Sequence, residues 1–337
     1  MSYSIHLSFI IGILLLIFLS KRYNFFIDKK NEKHKYTVST DKSYFLGGII
    51  FILFFFYYFF TTHDFFKLFF LLSIFFIGLV SDLKILNDPR KRFLLQLVAI
   101  LFFVILLDIK IPSTRLTQLD IILENNFINY FFVTFCLMVL VNGSNFVDGI
   151  NTLLVSYFTI ILAFIFYNQI YISADYDLVF HLILLFLIIF FLNSIGIIIL
   201  GDSGSYLISI FLGIFLIETS NNFSVSPYYI ILLLWYPCFE LLFSMTRRYL
   251  NKNSSYEPDI QHLHQFLYKL IKKNNYFTNI KVNHLLTSII INLYNFFSFY
   301  IGTMFISQTK ALVLIIFLNI FFYLLFYGYL IKRLKNK

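Results

Sequence analysis

The chain has 337 residues, 60% hydrophobic and 21% aromatic, with only 13% charged residues and a mean hydropathy of +0.83. That composition excludes both a soluble globular domain and a disordered chain. The formal net charge is +9, but the apolar runs leave no separate soluble basic domain to bind nucleic acid. Cys136 and Cys238 both fall inside apolar runs and point to neither a disulfide nor a zinc site.

Runs long enough to cross roughly 30 Å of hydrocarbon recur from end to end. They predict about eleven spans, near 4–20, 44–61, 66–80, 93–107, 127–141, 152–168, 178–196, 204–219, 227–246, 284–307 and 311–331. The first run, MSYSIHLSFIIGILLLIFLSKRY, has no basic flank before it and no small-residue cleavage site. It reads as a first span rather than a removable leader. Lys21 and Arg22 after it hold that end in the cytoplasm and leave the N-terminus outside. With that orientation, 22 of the 26 Lys and Arg residues fall on the cytoplasmic segments 21–43, 81–92, 247–283 and 332–337. The other four are Lys67, Lys110, Arg115 and Lys310. The expected fold is therefore all-α, a polytopic integral membrane protein of one domain over 1–337 with a cytoplasmic C-terminus. Within the 247–283 loop, HLHQFLYKLIKK is expected to form a short amphipathic helix lying on the membrane.

Five polar segments interrupt this pattern, and all five lie on the cytoplasmic side of the expected topology. They are His34 to Gly48, Gly78 to Arg92, NGSNFVDGINTLL at Asn142 to Leu154, GDSGS at Gly201 to Ser205, and PDIQHLHQ at Pro258 to Gln265. Each alone has an ordinary explanation. GDSGS reads as a tight turn between helices, Asp82 as a helix cap, and His262 and His264 as loop histidines. Asn142, Asn145 and Asp148 fall three apart, on one face of a helical turn, and end-capping accounts for only one or two of them. Together the segments hold the parts of a phosphoryl-transfer site. Asp82, Asp148 and Asp202 are hard oxygen ligands of the kind Mg²⁺ prefers, usually one or two per ion with phosphate oxygens completing the shell. The Gly-rich turn at 201–205 is expected to bring backbone amides to phosphate. The basic loops supply charge for a diphosphate. A transporter needs ionisable groups near the bilayer midplane, and Glu240 is the single candidate in the sequence.

These motifs, in this order, resemble the polyprenyl-phosphate N-acetylhexosamine-1-phosphate transferase family (glycosyltransferase family 4), over about residues 28 to 270. NGSNFVDGINTLL is similar to the family's Asn-x-x-Asn-x-x-Asp-Gly segment, GDSGS to its Gly-Asp-x-Gly-Ser turn, GLVSDLKIL with PRKRFLLQ to its acidic loop, and PDIQHLHQ to its His-x-His loop. The resemblance implies an enzyme that transfers N-acetylhexosamine 1-phosphate from a UDP-sugar to polyprenyl phosphate and releases UMP, with Mg²⁺, or Mn²⁺ in its place, holding the diphosphate. This is the first membrane step of an envelope glycan (O-antigen, capsule or wall polymer) at the cytoplasmic face of a bacterial inner membrane. It admits a homodimer. Carried over by motif, Asp82 and Asp202 are the metal candidates and, with Asp148, the catalytic set. Asn142, Asn145, Asp148, Ser205, His262, His264 and Arg247 would bind substrate, with Arg248 beside Arg247.

The chain departs from the family pattern in several places. The paired aspartates appear as Ser81–Asp82, the third histidine as Gln265, and a following Asp-Gly as Asn151–Thr152. Tyr44-Phe-Leu-Gly-Gly stands where the related pentapeptide-transferring enzymes carry Pro-Thr-Met-Gly-Gly, which favours the UDP-sugar branch over the lipid I-forming branch. Ser81 also leaves a non-catalytic scaffold as an alternative. Yet a phosphate monoester has its second pKa near ~6, so the nucleophile is largely dianionic at neutral pH and needs no strong base. Positioning and charge neutralisation then carry the step.

Overall fold

The computed structural model of the chain describes residues 3–27, 43–170, 175–222, 225–252, 259–274 and 278–335. Most of the first polar segment, from His34 to Lys42, and Pro258 lie outside them. The described residues fold as helices with no strand, only two isolated bridges tying Tyr44 to Ile27 and to Ile198. In chain order the helices are α1 (Tyr3–Tyr23), α2 (Gly47–Thr61), α3 (Phe65–Asp82), α4 (Pro89–Leu106), α5 (Thr117–Leu123) and α6 (Asn126–Val147). There follow α7 (Leu153–Tyr167), α8 (Tyr176–Ser194), α9 (Gly201–Asn222) and α10 (Pro227–Leu250). The last are α11 (Leu263–Lys273), α12 (Ile280–Thr303) and α13 (Thr309–Lys335).

Seven helices, α3, α6, α8, α9, α10, α12 and α13, are long and apolar enough to cross a membrane, and α2 and α7 are shorter apolar helices. Their outward faces agree with that reading, since Phe69, Phe127, Phe191 and Phe317 all stand exposed. Local sequence sets the helix starts. Asp88 accepts the Arg90 amide at 2.9 Å ahead of Pro89 at the first helical position of α4. Asn125 accepts the amides of Phe127 and Ile128 at 3.0 and 3.3 Å to open α6.

Helix α9 is the axis of the bundle. Of its membrane-length stretch 89% is buried, against 22% for α13 at the periphery, and α2, α3 and α6 pack around it. So close an approach demands small residues. A Cβ added to Gly78 of α3 would lie 2.4 Å from the Ser203 Cα, so any larger side chain there pushes α3 off the start of α9.

On the other side of α6 runs α10, which continues through Pro237. Proline cannot donate to the carbonyl four residues back, and the Tyr157 hydroxyl of α7 donates to that Leu233 carbonyl at 2.7 Å instead. A stripe of polar residues on α12 performs similar interhelical bonding. The Asn292 amide reaches the Leu153 carbonyl at 2.9 Å and the Ser156 hydroxyl at 2.6 Å, and Asn295 accepts from the Trp235 indole at 2.9 Å.

The segment expected to lie on the membrane does form a helix, α11, but its apolar face meets protein. Leu263, Leu267, Tyr268 and Ile271 are buried, and α11 packs against α12 and α13. The 3.6-residue periodicity predicted an amphipathic helix correctly; it carries no information on whether lipid or protein covers the apolar side.

Candidate active site

Asp82, the last residue of α3, projects onto the first turn of α9. Its Oδ1 accepts the Asp202 amide at 2.8 Å, and its Oδ2 accepts the Ser203 amide at 3.0 Å and the Ser203 hydroxyl at 2.7 Å. A helix start leaves such amides without intrahelical partners, and the carboxylate also meets the positive end of the helix dipole. Gly201 makes the approach possible. Its φ is +72°, and a Cβ there would sit 2.7 Å from Asp82 Oδ2. The sequence left Asp82 open between cap and ligand. In the structure it is a cap, though of a helix 120 residues away. The amides of Asp202 and Ser203, expected to face phosphate, are therefore occupied by a side chain.

Asp202 itself points away from that cap. Its Oδ2 accepts the Ser81 hydroxyl at 2.6 Å and the Arg92 guanidinium at 2.6 Å, while the same Arg92 nitrogen lies 2.6 Å from Ser81 Oγ. Asp202 and Arg92 keep 25% and 27% of their side chains exposed, so this polar triangle is open to an incoming ligand. Arg92 was absent from the sequence-derived site. A signal was present: PRKR puts cations in the first turn of a helix, where the dipole disfavours them unless an anion faces them.

The Asn-x-x-Asn-x-x-Asp face ends α6 at the same level. Asn142 donates to Gln96 of α4 at 3.4 Å and to the Met138 carbonyl at 2.9 Å. Asn145 accepts from Ser205 at 3.3 Å and donates to the Tyr206 hydroxyl at 3.4 Å. Ser205 is fully buried, so it supports Asn145 from behind. Asp148 is the C-cap of α6 and is half-buried. The turn that follows is held hard: Thr152 has φ +69°, its amide donates to Asn193 of α8, and the Asn151 amide donates to His284 Nδ1 at 3.1 Å.

A second cluster closes over this end. Glu240, at 1% exposure, accepts from His262 Nδ1 at 3.0 Å and from the Leu263 amide at 3.1 Å, and lies 3.7 Å from His264 Nδ1. The Tyr236 hydroxyl approaches that same nitrogen at 3.3 Å. Phe146 of α6 packs on His262 with ring centroids 4.8 Å apart, and His264 Nε2 would lie 3.8 Å from a Cβ on Gly149. His264 Nε2 is buried without a hydrogen-bond partner. Burial holds the His264 pKa below its usual value, with Glu240 opposing. Below the histidines, Asp259 takes Arg247, Ser244 and the Gln261 amide. Burial works against its carboxylate, but His262, Ser244 and Arg247 together hold it below the usual carboxylate range. Arg247 also donates to Tyr327 and to the Gln261 carbonyl. The guanidinium expected to face phosphate is thus built into a latch that fastens the His loop to α10 and α13.

The ends of α3, α6 and α10 and the starts of α4, α9 and α11 consequently meet at one end of the bundle. The chemistry there centres on an acidic and basic pair, amide side chains and buried histidines, which suits a phosphorylated ligand. A family model matches residues 65–220, running from α3 to α9, and its description is glycosyl transferase family 4. Over that region the chain is similar to glycosyl transferase family 4. No curated protein matches the sequence. The family 4 match covers Ser81, Asp82, Arg92, the α6 face and Asp202, and it marks a membrane-embedded sugar-phosphate transferase that uses a polyprenyl phosphate. The Glu240–His262–His264 cluster lies beyond the matched family 4 region and joins it through Phe146 and Gly149.

Proposed function

We propose that the chain transfers N-acetylhexosamine 1-phosphate from a UDP-sugar to polyprenyl phosphate and releases UMP, at the cytoplasmic face of a bacterial inner membrane. The observation that carries this reading is the open triangle of Asp202, Arg92 and Ser81 at the start of the buried axis α9. In the reaction an oxygen of the acceptor phosphate bonds to the sugar-linked phosphorus of the donor, and the bond from that phosphorus to UMP breaks. Arg92 neutralises phosphate charge, and Asn142 and Asn145 offer amide groups to the nucleotide or sugar. His264 Nε2 supplies a polar contact beside Asp148 and Gly149.

The donor set fits a divalent cation in a restricted way. Among the described residues no group of three or more His, Cys, Asp or Glu converges as a metal cage, and Asp82 is already capping α9. Asp202 remains, with Ser81 beside it, in a place where a cationic group already sits. One carboxylate completed by phosphate oxygens and water is an ordinary Mg²⁺ environment. Asp202 with Ser81 would hold Mg²⁺ or Mn²⁺, which would neutralise the diphosphate.

Sidedness rests on charge. The site end of the bundle carries Arg92, Arg247, Arg248, the cations of α11 and those of the last turn of α13, whereas Lys67, Lys110, Arg115 and Lys310 lie toward the other end, consistent with a cytoplasmic site. No observation favours transport, because Glu240 is enclosed at the same end and engaged by His262 and Leu263. The test is direct. Membranes holding the chain are given polyprenyl phosphate, Mg²⁺ and a panel of UDP-sugars, and UMP release with a lipid-linked sugar product is expected from an N-acetylhexosamine donor. Absence of both from every donor would sink the proposal.

A further inference from the structure

All 17 acidic residues of the chain precede position 260, and nine of the 26 basic residues follow it. Residues 1–259 are therefore electrically balanced, and the entire net charge of +9 belongs to the last 78 residues. The fold concentrates that charge further. Lys269, Lys272 and Lys273 lie on the outer side of α11, Lys281 opens α12, and Lys332, Arg333 and Lys335 end α13. Helix α11 packs on both other helices, and Lys273 Nζ donates to the Arg333 carbonyl at 3.2 Å, so the three sets form one patch. Except for the half-buried Lys281, all of these side chains are exposed. The nearest carboxylate in sequence, Asp259, already accepts Arg247.

Position along α13 says what this patch faces. The outward surface of that helix is apolar through Phe321, Phe322, Leu325 and Tyr329, and Lys332 follows three residues later, about 4.5 Å along the axis. An aromatic ring followed at once by cations is the pattern of a helix passing from hydrocarbon into headgroups. Lys272 also lies eight positions beyond His264 on α11, roughly 12 Å away along the helix.

We infer that the surface formed by the end of α11, the start of α12 and the end of α13 binds the headgroups of anionic phospholipids. This goes beyond the proposed reaction and does not depend on it. Like charges assembled from three helices without carboxylates repel one another, and a negatively charged leaflet removes that repulsion. Binding there also anchors α11, the helix whose first turn carries His264.

The test reads lipid selectivity rather than activity. The full chain is reconstituted in phosphatidylcholine vesicles with trace spin-labelled phosphatidylglycerol or phosphatidylcholine, and the motionally restricted fraction is measured for each. Wild type is expected to enrich phosphatidylglycerol several-fold. The combined variant Lys272→Gln, Lys273→Gln, Lys332→Gln, Lys335→Gln should fall to parity, and the same four positions changed to Arg should keep the preference. No preference in wild type, or an undiminished one in the Gln variant, overturns the inference. Loss of the preference on adding inorganic pyrophosphate at matched ionic strength also overturns it, because the ligand would then be a soluble phosphate.

Discussion

Asp82 and Asp202 meet through one side chain and one backbone: the Asp202 amide donates to Asp82 Oδ1 at 2.8 Å, while the Asp202 carboxylate turns the other way to Arg92. Two aspartates that read alike in the sequence thus have different work. One fixes where α9 begins, and the other pairs with Arg92 and Ser81 in the partly exposed triangle of the proposed site.

The two should separate under mutation. Asp82→Ala leaves two amides and a hydroxyl of Asp202 and Ser203 without their acceptor, and losing a capping side chain costs roughly 0.5–2 kcal/mol. Thermal unfolding in detergent should show a lowered midpoint together with lost UMP release. Asp202→Asn should lose most activity at nearly unchanged stability. Equal destabilisation by both changes would contradict this division.

Arg92→Ala should lower kcat/KM on the order of 10- to 100-fold, the scale of a charge-assisted hydrogen bond to phosphate. Ser81→Ala removes a hydroxyl that touches both Asp202 and Arg92 but leaves their ion pair in place; a net loss of about 1 kcal/mol should cost only about fivefold. Steady-state UMP release measures both. A Ser81→Ala defect as deep as that of Asp202→Asn would mean that Ser81 does more than support its neighbours.

Membrane character was legible because span length is a local property, and each long apolar run became a helix. The shared end was also legible, because Asp82, Asn145, Asp202 and His264 are polar where polar groups are costly. The division of labour was not. That Asp82 caps α9 depends on Gly78 and Gly201 letting α3 approach, a contact between segments 120 residues apart that no local pattern encodes. Arg247 was expected at the substrate and Arg92 was not, for a similar reason: both are cations beside the site, and only the packing shows that Asp259 takes the first and Asp202 the second.

Acid should loosen the His loop in two stages. His264 titrates below its ordinary 6.5, so between that folded value and 6.5 the unfolded loop binds more protons, and stability falls as pH falls through this window. Asp259 is also depressed. Its contribution is complete above the ordinary carboxylate value and disappears as pH drops through the lower folded value. Hydrogen exchange over 259–270, corrected for intrinsic rates, should show protection lost first in mild acid. His264→Asn should abolish that first stage and leave the second.

Tyr157→Phe should destabilise the chain by about 1–3 kcal/mol, the cost of a buried carbonyl left unsatisfied, because the Leu233 oxygen has lost its helical donor to Pro237. Adding Pro237→Ala restores that donor and should recover part of the loss. Thermal unfolding of the single and double variants checks the pair, and strictly additive losses would show that the hydroxyl and the proline are not coupled.

The turn after Asp148 has a consequence for affinity. Thr152 holds a left-handed backbone that costs a branched residue on the order of 1–3 kcal/mol, and it persists because Asn193 and His284 grip the amides of Thr152 and Asn151. A segment immobilised in this way has already surrendered its conformational entropy during folding. In the proposed reaction little disorder is left to lose in the turn after Asp148 when a substrate binds, so the ordering of that turn, worth about 0.5–1.5 kcal/mol for each side chain fixed, is charged to the stability of the apoprotein and not to the binding step.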